Sequence, residues 1–150
     1  MKNTFKKGFT LIELLVVIAI IGILASVVLA SLGSARNKGK DASVKSQLAS
    51  IRAQAELYVS ANNNQYADAD GVAITCSAGE SVFDPTRTDN VSVLIAGIAN
   101  AGGIPACFAD TTAWAVSSSL PSDPTASFWC VDSTGTAMAK GSQISASTCQ

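Results

Sequence analysis

The sequence contains no histidine among its 150 residues. This absence excludes Ser-His-Asp and Cys-His nucleophilic systems, zinc sites that use histidine, and metalloproteases with an HExxH motif. The sequence also lacks a GxSxG elbow, an SxxK motif and a glycine-rich loop that ends in Lys-Ser or Lys-Thr. Because no motif of an active site is present, we expect a protein that is not an enzyme.

A CxxC pair is also missing, so the cysteines give little support for a metal site, and we predict none. An even number of cysteines beyond a hydrophobic segment favours two disulfides formed in an oxidising compartment. Three pairings are possible. We favour the one in which both disulfides close local loops, Cys76 with Cys107 and Cys130 with Cys149.

Charge is absent from nineteen consecutive residues, Leu14 to Leu32. At about 1.5 Å per residue, a helix of this length covers a bilayer hydrocarbon core of about 30 Å. The basic leader carries Lys2, Lys6 and Lys7, which would stay on the cytoplasmic side. We therefore expect one pass through the cytoplasmic membrane, with the remaining chain outside the cytoplasm.

Three interpretations of this segment compete. It is a secretory signal cleaved after Ala30, a plain membrane anchor, or a helix retained after cleavage between Gly8 and Phe9. The carboxylate of Glu13 inside the apolar segment favours the third, because a discarded signal gains nothing from a charge in an apolar run. Cleavage after Gly8 would give Phe9 a new α-amino group, one helical turn from Glu13 and able to pair with the Glu13 of a neighbouring copy.

The residues around the Gly8–Phe9 bond form a specific pattern. A basic leader ends in Gly8, and Phe9 follows it. Glu13 is the fifth residue after the glycine, and an unbroken apolar segment predicted to be helical begins there. The pattern resembles the N-terminal motif of type IV pilins and the related pseudopilins. The resemblance implies that a prepilin peptidase cuts after Gly8 and N-methylates Phe9. It also implies that Glu13 and Phe9 act in filament assembly, with an assembly ATPase and an inner-membrane platform protein as partners.

One departure from the family concerns proline. Many pilins carry a helix-kinking proline in this segment, whereas the first proline here is Pro85. A glycine inside a helix costs about 1 kcal/mol relative to alanine, so glycines mark the weakest points of the rod. We hypothesise that the helix loosens in the filament near Gly22 or between Gly33 and Gly39.

Beyond Leu32 the helix is expected to continue to about Ser60. Apolar residues recur there at spacings of three and four and form one stripe, which we expect to pack on the chain's own head: Val44, Leu48, Ile51, Ala55 and Tyr58. The predicted fold class is α+β, a ladle like that of pilins. The predicted parts are a leader (1–8), an assembly helix (9–32), its amphipathic half (33–60) and a disulfide-bonded globular head (61–150).

In the head we predict a short helix with Asp89 as its N-cap, ended by Gly102. Three strands are predicted at 113–117, 127–131 and 137–140, and they would form a small antiparallel sheet on the helix stripe. The first two are separated by a turn region, Leu120 to Pro124. Trp114 and Trp129 are expected in the core or at the helix–sheet interface rather than on a ligand platform.

Charge is distributed unevenly between the stalk and the head. Residues 36–52 hold five basic residues against one acidic residue, whereas residues from 53 onward hold two basic residues against nine acidic ones. The acidic head argues against nucleic-acid binding. Asp68 and Asp70 lie in a turn, but an EF-hand pattern fails at Tyr66 and Ser77, so we predict no cofactor and keep calcium only as a minor alternative.

These features predict a structural subunit that polymerises through its N-terminal helix into a homo-oligomeric filament like a type IV pilus. Several alternatives remain open. A pseudopilin of a type II secretion system or a subunit of a DNA-uptake apparatus would share the same motif, and the filament would then be a periplasmic pseudopilus rather than a cell-surface fibre. A secreted binding domain cleaved after Ala30 is an alternative of another class.

Overall fold

The computed structural model describes residues 8–67, 72–74, 76, 81–84, 86 and 90–150. The chain divides after Arg36 into two compact units. In chain order the elements are α1 (Leu11–Ala61), β1 (Val72–Ile74), α2 (Asn90–Asn100), β2 (Pro105–Ala109), β3 (Trp114–Leu120), β4 (Asp123–Asp132) and β5 (Ala137–Lys140). The fold is α+β, with a long N-terminal helix and an antiparallel sheet, as the sequence predicted.

The second half of α1 buries one face. Its buried side chains are Val44, Leu48, Ile51, Ala55, Tyr58 and Val59. The first five are the predicted stripe, and they join a core that includes Trp114, Val116 and Val131 of the sheet. The prediction that the stripe packs on the chain's own head is therefore confirmed.

Three consecutive asparagines end α1. Asn63 and Asn64 have positive φ angles of 52° and 64°, a left-handed conformation that asparagine tolerates better than most residues. The amides of Asn62 and Asn64 both donate to the carbonyl of Val59, and the Asn62 side chain donates to the carbonyl of Tyr58. These bonds satisfy carbonyls that the helix end would leave unpaired.

The sheet has five strands in the order β1-β2-β3-β4-β5, and each neighbouring pair is antiparallel. The prediction of three strands is wrong because β1 and β2 were missed. β1 is only three residues long, and β2 opens with Pro105, a residue that normally argues against a strand. Pro105 is tolerated because β1 pairs with Cys107 to Ala109, so the described residues of β1 require no N–H from Pro105.

The turn region predicted between the first two of these strands, which correspond to β3 and β4, is also too long. β3 runs to Leu120 and β4 begins at Asp123, so only Pro121 and Ser122 form the turn. Pro124 fits inside β4 because it lies at an irregularity, between the registered pairs Leu120–Asp123 and Ser119–Phe128. No ladder bond is required of it there.

Polar side chains along α1 tie the helix to the β3–β4–β5 part of the sheet. The Asp41 carboxylate accepts a hydrogen bond of 3.0 Å from the Ser122 amide, in the β3–β4 turn. The Lys45 ammonium lies 4.5 Å from the centre of the Trp129 ring, a cation–π contact. Arg52 donates at 2.8 Å to the carbonyl of Thr136, just before β5. These residues border the buried stripe, so the helix is held by apolar and polar contacts together.

Helix α2 confirms the short helix predicted here. Its predicted N-cap, Asp89, lies outside the described residues. Val91, Ile95 and Ile98 are buried. The helix is followed by Gly102, whose φ of 95° is the left-handed conformation expected of a glycine after a helix end. Gly103 is buried, and a Cβ there would collide with the Ser118 hydroxyl and lie 3.2 Å from the Ser119 carbonyl oxygen.

Two disulfides join Cys76 to Cys107 and Cys130 to Cys149, the pairing that the sequence favoured. They lie on opposite faces of the sheet. Cys107 pairs in register with Val116 and belongs to the core face, whereas Cys130 pairs with Ser117 on the outer face. Each face of the sheet is thus covalently linked to a different segment.

Residues 141–150, which we call the strap, cover part of the outer face. The Ile144 amide donates to the Ser117 hydroxyl, and Gln143 donates to the carbonyl of Ile104. Cys149 is bonded to Cys130. β3 is consequently buried at all seven positions, and its outward-facing residues are small: Ala115, Ser117 and Ser119.

The centre of the core holds Trp114, which is fully buried. Its ring meets Phe83 edge to face, with 6.3 Å between ring centres. The Tyr66 hydroxyl donates to Glu56 at 2.9 Å. Desolvation first, and then this bond and the Glu56 charge, raise the pKa of Tyr66 to about 12, while the nearby Trp114 indole acts in the opposite direction. Trp114 is core and Trp129 is half-buried at the interface, as predicted.

Candidate assembly segment

The start of α1 is a capping box formed by Thr10 and Glu13. The Glu13 carboxylate accepts hydrogen bonds from the Thr10 amide at 2.8 Å and the Thr10 hydroxyl at 2.6 Å. The Glu13 amide in turn donates to the Thr10 hydroxyl at 3.3 Å. Such a box satisfies amides that have no partner inside the helix. The spacing Thr-x-x-Glu is the sequence signature of this cap, so the role of Thr10 could have been predicted from the sequence.

The first half of α1 exposes apolar side chains on all sides. The large apolar residues from Phe9 to Leu32 are 49% to 87% exposed. A helix that is apolar all round requires lipid or other protein around it. Five residues near its start border an open surface groove in which only Glu13 is charged: Phe9, Ile12, Glu13, Val16 and Val17.

The polar groups within this apolar stretch are satisfied inside the helix. The Ser26 hydroxyl donates to the carbonyl of Ile23 at 2.8 Å, and the Ser31 hydroxyl donates to the carbonyls of Val27 and Val28. Serine hydroxyls bonded in this way can be surrounded by hydrocarbon without an unpaired donor. Glu13 is the one ionisable side chain between Gly8 and Ala35 in the sequence.

The proposed points of flexibility lie within an unbroken helix. Gly22, Gly33 and Gly39 are all part of α1, and a Cβ added at any of them would meet no atom within 4 Å. Their role in loosening the helix inside a filament stays a prediction. The processing residues Gly8 and Phe9 precede the first helical residue and are exposed.

The calcium alternative cannot be placed on this fold, since Asp68 and Asp70 lie outside the described residues. Among the residues that the structure does describe, no group of three or more His, Cys, Asp or Glu side chains is arranged to hold a metal ion.

Known proteins are similar to this chain in the segment that contains Gly8, Phe9 and Glu13. Residues 4–29 match the family model of the prokaryotic N-terminal methylation motif. The chain is also 48% identical over 58 residues to the type IV wide pilus major component PilA4 of Thermus thermophilus. The two matches support the resemblance of this chain to type IV pilins and pseudopilins. The matched stretch covers 39% of this chain and 44% of the relative, so the chain spans less than half of that protein's length.

No solved structure matches this chain. Its α1 contains a stretch that is long and apolar enough to cross a membrane, and that stretch is not buried. A cleavable secretory signal would satisfy the same criteria of length and composition. Residues 4–29, which match the methylation motif, include both the leader glycine Gly8 and the first part of the apolar run.

Proposed function

We propose that this chain is a pilin subunit, which polymerises through α1 into a filament like a type IV pilus after a prepilin peptidase cuts between Gly8 and Phe9. The observation that carries the proposal is the exposed apolar half of α1 with Glu13 as its one charge. The methylation motif and the similarity to a pilus major component support it.

The apolar half of α1 requires two successive environments. Before assembly, the cytoplasmic membrane would cover it, with the basic leader on the cytoplasmic side and the head outside. In the filament, the same surface would be covered by the helices of neighbouring copies. The head already closes its own core around the second half of α1, so the first half is left free to pack with other subunits.

Glu13 would set the position of each subunit relative to the next. In the precursor its carboxylate caps its own helix through Thr10. Cleavage would place a charged amine on Phe9, and pairing of that amine with Glu13 of a neighbour would neutralise both charges away from water. The prepilin peptidase, the assembly ATPase and the inner-membrane platform protein are the partners that this route requires.

The first test is intact mass and N-terminal sequencing of protein recovered from the cell envelope. We expect a chain that begins at Phe9 and carries one additional methyl group. A chain that begins at Ser31 would overturn the proposal and indicate a secreted head cleaved after Ala30.

The second test uses Glu13→Gln, with Glu56→Gln as the matched control on the same helix. We expect the Glu13 variant to accumulate in the membrane and to be absent from sheared surface filaments, whereas the Glu56 variant assembles. Normal filaments from the Glu13 variant would contradict the assigned role. Subunits that assemble only in the periplasm, with loss of protein secretion on deletion, would identify a secretion pseudopilin instead.

A further inference from the structure

Asp132 is a buried carboxylate at the end of β4, with 1% of its surface exposed. One oxygen, Oδ1, accepts hydrogen bonds within the β4–β5 turn from the Thr134 amide, the Thr134 hydroxyl and the Thr136 amide, at 2.7 to 3.0 Å. The other oxygen, Oδ2, accepts a 2.9 Å bond from the amide of Cys149 in the strap. One side chain therefore joins the turn to the strap.

The hydrogen bond from the Cys149 amide to Asp132 is made by the same residue that forms the disulfide with Cys130. Asp132 and Cys130 lie two residues apart on the outer face of β4, and the strap places the Cys149 amide on one and its sulfur on the other. Lys140 adds a bond to the Cys149 carbonyl at 3.1 Å. The backbone of Cys149 is thus held on both sides by noncovalent bonds, independently of the sulfur–sulfur bond.

We propose that the Asp132 carboxylate seats the strap on the sheet before oxidation, so that Cys149 meets Cys130 rather than Cys76 or Cys107. Hydrogen bonds to a charged acceptor in a buried site are among the strong ones. Burial alone would raise the pKa of Asp132, but the bonds from Cys149, Thr134 and Thr136 outweigh it and lower the pKa, which keeps the acceptor charged. The inference does not depend on filament formation.

The covalent step is an ordinary thiol–disulfide exchange. The Cys130 and Cys149 thiols lose two protons and two electrons as their sulfurs bond, and one external disulfide, such as oxidised glutathione, takes them up and becomes two thiols. Asp132 takes no part in this exchange. Its contribution is to raise the effective concentration of one thiol at the other.

The variant Asp132→Asn separates the two functions of the carboxylate. The amide oxygen can keep the three bonds of the turn, but the amide nitrogen is a donor and cannot accept from the Cys149 amide. Asp123→Asn is the matched control, because the Oδ1 oxygen of Asp123 accepts hydrogen bonds from the Thr125 hydroxyl and the Ala126 amide, both within β4.

The experiment equilibrates the full chain in detergent with reduced and oxidised glutathione and maps each disulfide by mass spectrometry. We expect Asp132→Asn to lower the equilibrium constant for Cys130–Cys149 by about tenfold or more, as for loss of a charge-assisted bond. The Cys76–Cys107 constant should not change, and Asp123→Asn should leave both unchanged. Equal shifts in both disulfides, or no shift in either, would overturn the proposal.

A second measurement does not require the Asp132 variant to fold. In the double variant Cys130→Ser with Cys149→Ser, the amide at position 149 should still exchange its hydrogen at least tenfold more slowly than in an unstructured peptide. Exchange at the peptide rate would show that the strap is held by the disulfide alone, and the proposal would fail.

Discussion

Replacement of Leu48 by alanine tests whether the stripe of α1 is held by the head of the same chain. Leu48 is fully buried, whereas Leu57, on the same helix, is 63% exposed. Leu→Ala removes three carbon groups, worth about 0.8 kcal/mol each on transfer from water. The cavity left in a core that cannot fully collapse brings the total loss to about 3 to 5 kcal/mol. Leu57→Ala should change the free energy of unfolding by less than about 0.5 kcal/mol.

The assay is urea unfolding of the full chain in detergent, followed by the fluorescence of the buried Trp114. We expect a clearly lower urea midpoint for Leu48→Ala and a midpoint near that of the wild type for Leu57→Ala, with similar slopes. If the two variants lose the same stability, the stripe does not pack on the head as described. The reasoning from burial would then be refuted.

Three further predictions concern other parts of the head. Because the pKa of Asp132 is lowered by folding, its contribution to stability should be present above the ordinary aspartate pKa of about 4 and lost as the pH falls through the folded value. The urea midpoint of the wild type should therefore fall more between neutral and acid pH than that of Asp132→Asn. Tyr66, with its pKa raised to about 12, should form tyrosinate late in an ultraviolet absorbance titration, and Glu56→Gln should bring its pKa down. Gly103→Ala should cost about 1 to 3 kcal/mol of stability in urea unfolding, because its Cβ would strike the β3 backbone and side chains. Gly141→Ala, where a Cβ meets nothing within 4 Å, is the control and should leave the midpoint unchanged.

The parts of the fold that follow from local spacing were predictable. The stripe from Val44 to Tyr58 is visible in the sequence because a helix repeats every 3.6 residues. The asparagines at 62–64 and Gly102 mark helix ends through conformations that few other residues adopt. The cysteine pairing followed from loop length alone, without any knowledge of which face of the sheet each pair occupies.

The parts that depend on distant contacts were not predictable. Pro105 reads as a strand breaker until it is known that β1 stops short of it. Asp132 reads as the first residue of a tight turn, and nothing local indicates that its second oxygen binds a residue seventeen positions later. Thr10 is a different case. Its capping role is local and predictable from the Thr-x-x-Glu spacing, but it was not predicted.

The two-sided burial of β3 has a consequence for the order in which the head is built. The strands are synthesised in chain order, and the strap follows β5. Until it arrives, the outer face of the central strand must stand in water. Aggregation at this face is disfavoured because its exposed side chains are small: Ala115, Ser117 and Ser119. One methyl group and two hydroxyls offer little apolar surface to other chains. The residues that let the strap lie close to the sheet are therefore also the ones that protect the head before the strap is in place.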